Sequence, residues 1–158
     1  MNKKYLPQYN WNKRNWDRVL VYKKKWRDRN KKHLKEYRER NRDYFRNYYK
    51  KLRKTSPEYR INHNMARMLR YSIKEKNGLS WEKLVNYTLK DLMTHLEKLF
   101  DENMTWANYG SYWSIDHIKP RNLFKFETAK DEKFKRCWAL NNLQPLEKIT
   151  NIKKGCKY

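Results

Sequence analysis

A chain of 158 residues has room for one domain plus an appendage, not for two full domains. Its 40 Lys and Arg against 17 Asp and Glu give a formal net charge of +23. No apolar run approaches the roughly 20 residues of a membrane span, and nothing apolar follows Met1-Asn2-Lys3-Lys4-Tyr5, so neither a transmembrane helix nor a secretory signal is expected.

Self-repulsion at this charge density would be relieved by a polyanion. Nucleic acid is therefore the leading partner, with an anionic membrane surface a distant second. Seven Trp and 13 Tyr are too many for a purely solvating tail, so most of the chain is expected to fold. The two cysteines, Cys137 and Cys156, are too few for a disulfide framework or a four-Cys zinc knot. They read as reduced thiols in a cytoplasmic setting.

Charge divides the chain unevenly. Residues 1–60 carry 22 basic and 6 acidic side chains, net +16, and residues 61–158 carry 18 and 11, net +7. Between Pro7 and Pro57 there is neither Gly nor Pro, which predicts one long helix over roughly 16–54. Its pattern recurs every 11 residues: Trp26, Tyr37 and Tyr48 are in phase, as are Tyr22, His33 and Tyr44, Asn30 and Asn41, and Leu34 and Phe45. Eleven residues make about three turns at 3.67 per turn, so the aromatics form one stripe with basic residues around it. The stripe either packs on a neighbouring domain or a second copy, or lies against nucleic acid with its flanks neutralising phosphates. On the second reading Lys23, Lys24, Lys25, Arg27, Arg38 and Arg42 are DNA-binding candidates. Residues 1–15 carry no pattern that predicts an element.

Ser56-Pro57-Glu58 supplies an N-cap hydroxyl, Pro at N1 and an acid facing the helix dipole. The helix it opens should stop before Gly78 and bury Ile61, Met65, Met68, Leu69, Ser72 and Ile73. Ser80-Trp81-Glu82 opens a helical turn through Val85. Thr88-Leu89-Lys90-Asp91 resembles a capping box with Asp for the usual Glu. Leu89, Leu92, Met93, Leu96, Leu99 and Phe100 then predict an amphipathic helix ending near Phe100.

Beyond Gly110 the character changes. Residues 112–118, Tyr-Trp-Ser-Ile-Asp-His-Ile, read as a strand, and Leu143-Gln144-Pro145-Leu146 as an edge strand, because Pro145 cannot donate to a ladder. Short helices are expected over 131–139 and 147–154. The fold class is α+β: mostly helical, with a basic arm over 1–55, a helical region packing on the rest over 56–103, and a small module over 104–158.

That module gathers Asp116, His117, Asn142 and Asn151. A carboxylate and an amide oxygen suit a hard cation such as Mg²⁺. A neutral imidazole beside them can take a proton from water near neutral pH. Phosphodiester hydrolysis uses both parts. His33, His63 and His95 lack such company and read as surface or packing residues.

The segments Trp113-Ser114-Ile115-Asp116-His117-Ile118-Lys119-Pro120, Cys137-Trp138-Ala139-Leu140-Asn141-Asn142-Leu143-Gln144-Pro145-Leu146 and Asn151-Ile152-Lys153-Lys154-Gly155 resemble those of HNH endonucleases, above all the group common in phages. Met104-Thr105-Trp106-Ala107-Asn108-Tyr109-Gly110 and Ser56-Pro57-Glu58-Tyr59-Arg60-Ile61 are similar to that group's upstream segments, so the resemblance spans about 56–158. It implies a ββα-metal fold around one divalent ion, with His117 as general base and Asp116 as metal ligand. It further implies Asn142 as support for the loop carrying the base, and Asn151 as second ligand where many members have His. An Asp/Asn set offers oxygens only, so Mg²⁺ or Mn²⁺ is expected over Zn²⁺, and no structural zinc is expected without the Cys pairs of some relatives.

Lys119, Arg121, Lys153 and Lys154 flank the motif as phosphate-clamp or surface residues. Neighbouring strand residues point to opposite faces, so Asp116 and His117 can share a site only if the strand ends or twists there. The expected activity is metal-dependent hydrolysis of double-stranded DNA, in a host cytoplasm if phage-encoded, by a monomer, a homodimer or with a packaging partner. The alternative is a nucleic-acid-binding or packaging accessory protein in which cleavage is subsidiary or absent.

Overall fold

A computed structural model of the chain describes residues 6–73 and 78–157. These residues are mostly helical, with one two-stranded antiparallel sheet toward the C-terminal end, an α+β arrangement. The chain divides between Lys50 and Lys51 into two compact units, a few residues ahead of the expected boundary at 55/56.

The first unit holds α1 (Leu6–Arg14), α2 (Trp16–Arg29), α3 (Lys31–Arg40) and most of α4 (Arg42–Thr55). The uninterrupted helix expected over 16–54 is corrected here: it breaks at Asn30 and Asn41, and α1 adds a helix before a like break at Asn15. At the three asparagines φ is −112°, −99° and −100° and ψ is 33°, 16° and 11°, outside the helical well. Each side-chain amide donates to the carbonyl four residues back, on Trp11, Trp26 and Tyr37, at 2.8–2.9 Å. The asparagine's own N–H donates to that same carbonyl, while its C=O accepts from Val19, Leu34 or Phe45. One residue thus ends one helix and starts the next. This is how a short amide competes with regular helix.

No residue of α2, α3 or α4 is buried. Trp26, Tyr37 and Tyr48 are each nearly half exposed. Their neighbours form a ladder of rings, with Tyr44 stacked on Tyr48 and Phe45 on Tyr49. Helices of this length without a packed face are marginal in water.

The second unit has a core. Its first full helix, α5 (Pro57–Ser72), starts on the Ser56 hydroxyl, which accepts from the Tyr59 N–H at 3.0 Å. Ile61, Met65 and Leu69, four residues apart, are fully buried. The helix stops at Ser72 rather than running toward Gly78: Ile73 is buried but extended, and residues 74–77 lie outside the described part. Then α6 (Trp81–Val85) ends at Asn86, whose positive φ of 63° closes it. Both reciprocal bonds of the Thr88–Asp91 capping box open α7 (Leu89–Glu97), which buries Leu92 and Leu96. It ends before the expected Phe100, and Leu99 is 48 % exposed instead of in the core.

β1 (Trp113–His117) pairs antiparallel with β2 (Leu143–Glu147), Trp113 opposite Glu147 and His117 opposite Leu143. Between them lie α8 (Glu132–Cys137) and two short 3-10 turns, and α9 (Lys148–Lys154) follows β2. Bonds from Lys148 N–H to Tyr112 and from Ile118 N–H to Asn142 fix the ladder's phase. In that phase the position of Pro145, opposite Ile115, is one whose N–H would face outward, so the proline costs no ladder bond.

Trp113 is completely buried, with the rings of Phe100, Trp106 and Tyr109 4.8–5.5 Å away and its indole N–H donated to the Thr105 carbonyl. Arg60 clamps this loop to α5, donating to the carbonyls of Tyr109 and Trp106 at 3.0 and 2.8 Å. Each fully buried large side chain contributes roughly 1.5–3 kcal/mol. Conformational stability therefore resides in the second unit.

Candidate active site

The site is built on the end of β1, on β2 and on α9. Strand alternation puts Ser114 and Asp116 on one face, and α9 covers that face. Asn151 donates its side-chain N–H to Ser114 Oγ at 2.9 Å, and Lys154, one helical turn later, donates to Asp116 Oδ2 at 2.6 Å. Across the sheet Gln144, the register partner of Asp116, donates to the same Oδ2 at 3.0 Å.

Lys154 also donates to the carbonyls of His117, at 2.6 Å, and Ile118, at 3.1 Å. Two consecutive carbonyls reaching one ammonium means that strand alternation has been lost by residue 118. The expected condition for Asp116 and His117 to serve a common region is met in that sense: the strand ends there. Their side chains nonetheless meet different neighbours. The His117 ring lies edge-to-face on Trp138 at 4.6 Å, and its Nε2 is buried without a hydrogen-bond partner. Burial lowers the imidazole pKa to about 4; Asp116 opposes the shift, and Arg121 and Lys154 add to it. The ring is neutral at physiological pH.

Asn142 is buried and fastens the segment after His117. Its Oδ1 accepts from the Lys119 N–H at 2.9 Å, and its Nδ2 donates to the Cys137 carbonyl at 2.8 Å and the Lys119 carbonyl at 3.3 Å. With its own carbonyl accepting from Ile118, the residue holds both ends of the stretch leaving β1. A neutral amide does this with no charge to desolvate.

Among the described residues no three His, Cys, Asp or Glu converge. The donors at hand are one carboxylate, the Asn151 amide oxygen, whose nitrogen is already committed to Ser114, and the main-chain oxygens at 117 and 118. All are hard oxygens, and three of them, Asp116 Oδ2 and the carbonyls of residues 117 and 118, already bind a cation, the Lys154 ammonium. Oxygens of this kind are the ligands that hard divalent ions take.

Of the flanking cations, Arg121 and Lys153 are exposed, and Lys119 lies 5.3 Å over the Phe124 ring in a cleft of about 360 Å³ shared with Arg136 and Asn142. Lys154, read as a phosphate-clamp or surface residue, is turned inward onto Asp116 and the end of β1. Gln144, Trp138 and Ser114 were not among the expected site residues; strand alternation from Asp116 could have singled out Ser114, but the others required the register and fold. His95 packs, its Nε2 2.9 Å from the Leu143 carbonyl, and His63 stacks on Tyr59.

On the arm, Lys23, Lys24, Lys25, Arg27, Arg38 and Arg42 are all exposed. Two adjoining clefts there, about 590 and 390 Å³, share Tyr22 and Lys23; Trp11 and Arg18 line the first, Trp26 and Arg27 the second. These are larger than the cleft beside Asn142, and no His, Asp or Glu lines them. They are surfaces for stacking and charge.

The chain is similar to two proteins of Acanthamoeba polyphaga mimivirus. Uncharacterized protein L426 is 36 % identical over 103 residues, which are 61 % of this chain and 44 % of the relative. Uncharacterized protein L246 is 28 % identical over 100 residues, 63 % and 43 % respectively. The chain thus spans less than half the length of each. No family model matches the sequence. No solved structure matches it either.

Proposed function

We propose that the protein is a metal-dependent endonuclease of the HNH type that hydrolyses DNA phosphodiesters, with the arm adding affinity for the duplex. The observation that carries this reading is that α9 covers the face of β1 that bears Asp116, with Asn151 bonded to Ser114 and Lys154 to Asp116, beside a half-buried, neutral His117. Asp116 and Asn151 would hold one divalent ion, Mg²⁺ or Mn²⁺, which when bound supplies Lewis acidity to a phosphate oxygen and the leaving group.

The protein's own groups do the rest. His117 accepts a proton from the attacking water, and burial keeps it unprotonated for that task near neutral pH. Trp138 fixes the plane of the imidazole. Asn142 holds the main chain on either side of Ile118 and so sets where the imidazole sits. Lys119 and Arg121 would neutralise the phosphate. One such site cuts one strand; a double-strand break needs a second site or a second event.

Plasmid cleavage tests this. Wild type with Mg²⁺ or Mn²⁺ should nick supercoiled DNA, and His117→Ala should lower the rate by about 10²–10⁴-fold, the range of a lost general base. Equal cleavage by the two proteins, or none from either with both metals, would overturn the assignment. A second reading, a nucleic-acid-binding or packaging accessory protein, is favoured by one feature: exposed aromatics interleaved with cations along the arm. It predicts strong DNA binding with no His117-dependent cleavage.

A further inference from the structure

The Lys154 ammonium sits on the carboxylate read above as a metal ligand. Its side chain is only 19 % exposed, that of Asp116 11 %. An ammonium has three protons to donate, and all three find oxygens here: Asp116 Oδ2 and the carbonyls of His117 and Ile118. Asp116 Oδ2 also takes the Gln144 amide. The carboxylate oxygen that faces α9 is therefore saturated.

We infer that Lys154 is a resident cation that completes the site in the metal-free protein and is exchanged for a divalent ion. The inference rests on the reading of Asp116 as a metal ligand. A divalent ion on Asp116 would stand about 2.0–2.1 Å from its oxygen, too close to an ammonium on the same atom for both to remain. The exchange needs only a side-chain movement, because Lys carries its point charge on a flexible four-carbon stem. The freed ammonium leaves for the solvent side, where a phosphate is its natural counter-charge. In the metal-free state the same ammonium keeps Asp116 paired and holds the end of β1 to α9. The site is thereby preformed, and an ion that takes Asp116 Oδ2 enters by displacing a bound charge.

Two measurements test the exchange, with Mn²⁺ as the probe. Isothermal titration should show Lys154→Met binding Mn²⁺ roughly tenfold more tightly than wild type, the scale of losing a competing charge-assisted bond. Asp116→Asn should abolish binding in either background. The second uses wild type alone and so survives a misfolded variant: acetylation by an amine-reactive ester, read by peptide mass spectrometry. Lys154 should be protected without metal and become labelled several-fold faster at saturating Mn²⁺, while Lys153 stays constant. Unchanged Lys154 labelling, affinity in Lys154→Met equal to or weaker than wild type, or no Mn²⁺ binding by either protein would overturn the exchange. Exchange without His117-dependent cleavage would leave this inference standing and overturn the nuclease reading.

Discussion

At the residue scale, His117 ties chemistry to stability. Its folded pKa of about 4 lies below the ordinary 6.5 because burial penalises the charged ring. The unfolded chain therefore takes up the proton first. The stabilisation is complete above about pH 6.5 and is lost as pH falls through that value toward 4, on the order of 3 kcal/mol across the window. In chelator-treated protein, urea midpoints at pH 7.5 and 4.5 should diverge in wild type and converge in His117→Asn. Parallel losses in the two proteins would mean that another group carries the acid sensitivity. Asn142 shows the complementary strategy. It spends an uncharged side chain on three main-chain bonds, so its contribution does not vary with pH.

At the element scale, the arm and the second unit were legible to different degrees. Ser56-Pro57, the Thr88–Asp91 capping box and both strands could be read because their signals are local: a hydroxyl beside a helix start, a β-branched run before a proline. Leu99 misled because apolar periodicity continues past the point where α7 stops. The breaks at Asn30 and Asn41 were hidden for a subtler reason. Asn is only slightly unfavourable in a helix, and an 11-residue spacing preserves the phase of the stripe across the break. The Lys154–Asp116 pair was out of reach, since 38 positions separate its members and only the packing of α9 on β1 joins them. The double variant Asn30→Ala, Asn41→Ala should fuse α2, α3 and α4, each change favouring helix by roughly 0.5 kcal/mol. Far-UV circular dichroism should then show more helix and a later loss on heating. An unchanged or weaker signal would mean the breaks do not depend on the amides.

For the whole molecule, charge and core are segregated. Helices α1–α4 carry 19 basic and 5 acidic residues, net +14, and α2, α3 and α4 bury no residue, while the packed aromatic core lies beyond residue 60. Neutralising phosphates releases counterions, so DNA affinity should fall steeply with salt, with a log–log slope of about −0.9 per phosphate contacted. Deleting residues 1–54 should flatten that slope by several contacts while leaving Mn²⁺ binding in place. If affinity and slope survive the deletion, the second unit alone grips the duplex.

The two thiols have a practical consequence for watching this protein work. Cys137 is completely buried, with its pKa pushed up to about 12 chiefly by burial, whereas Cys156 is exposed two residues beyond Lys154. A maleimide dye should therefore attach at one position without any engineered substitution. That dye would sit at the foot of α9, where its emission could report ion entry in real time on the natural sequence.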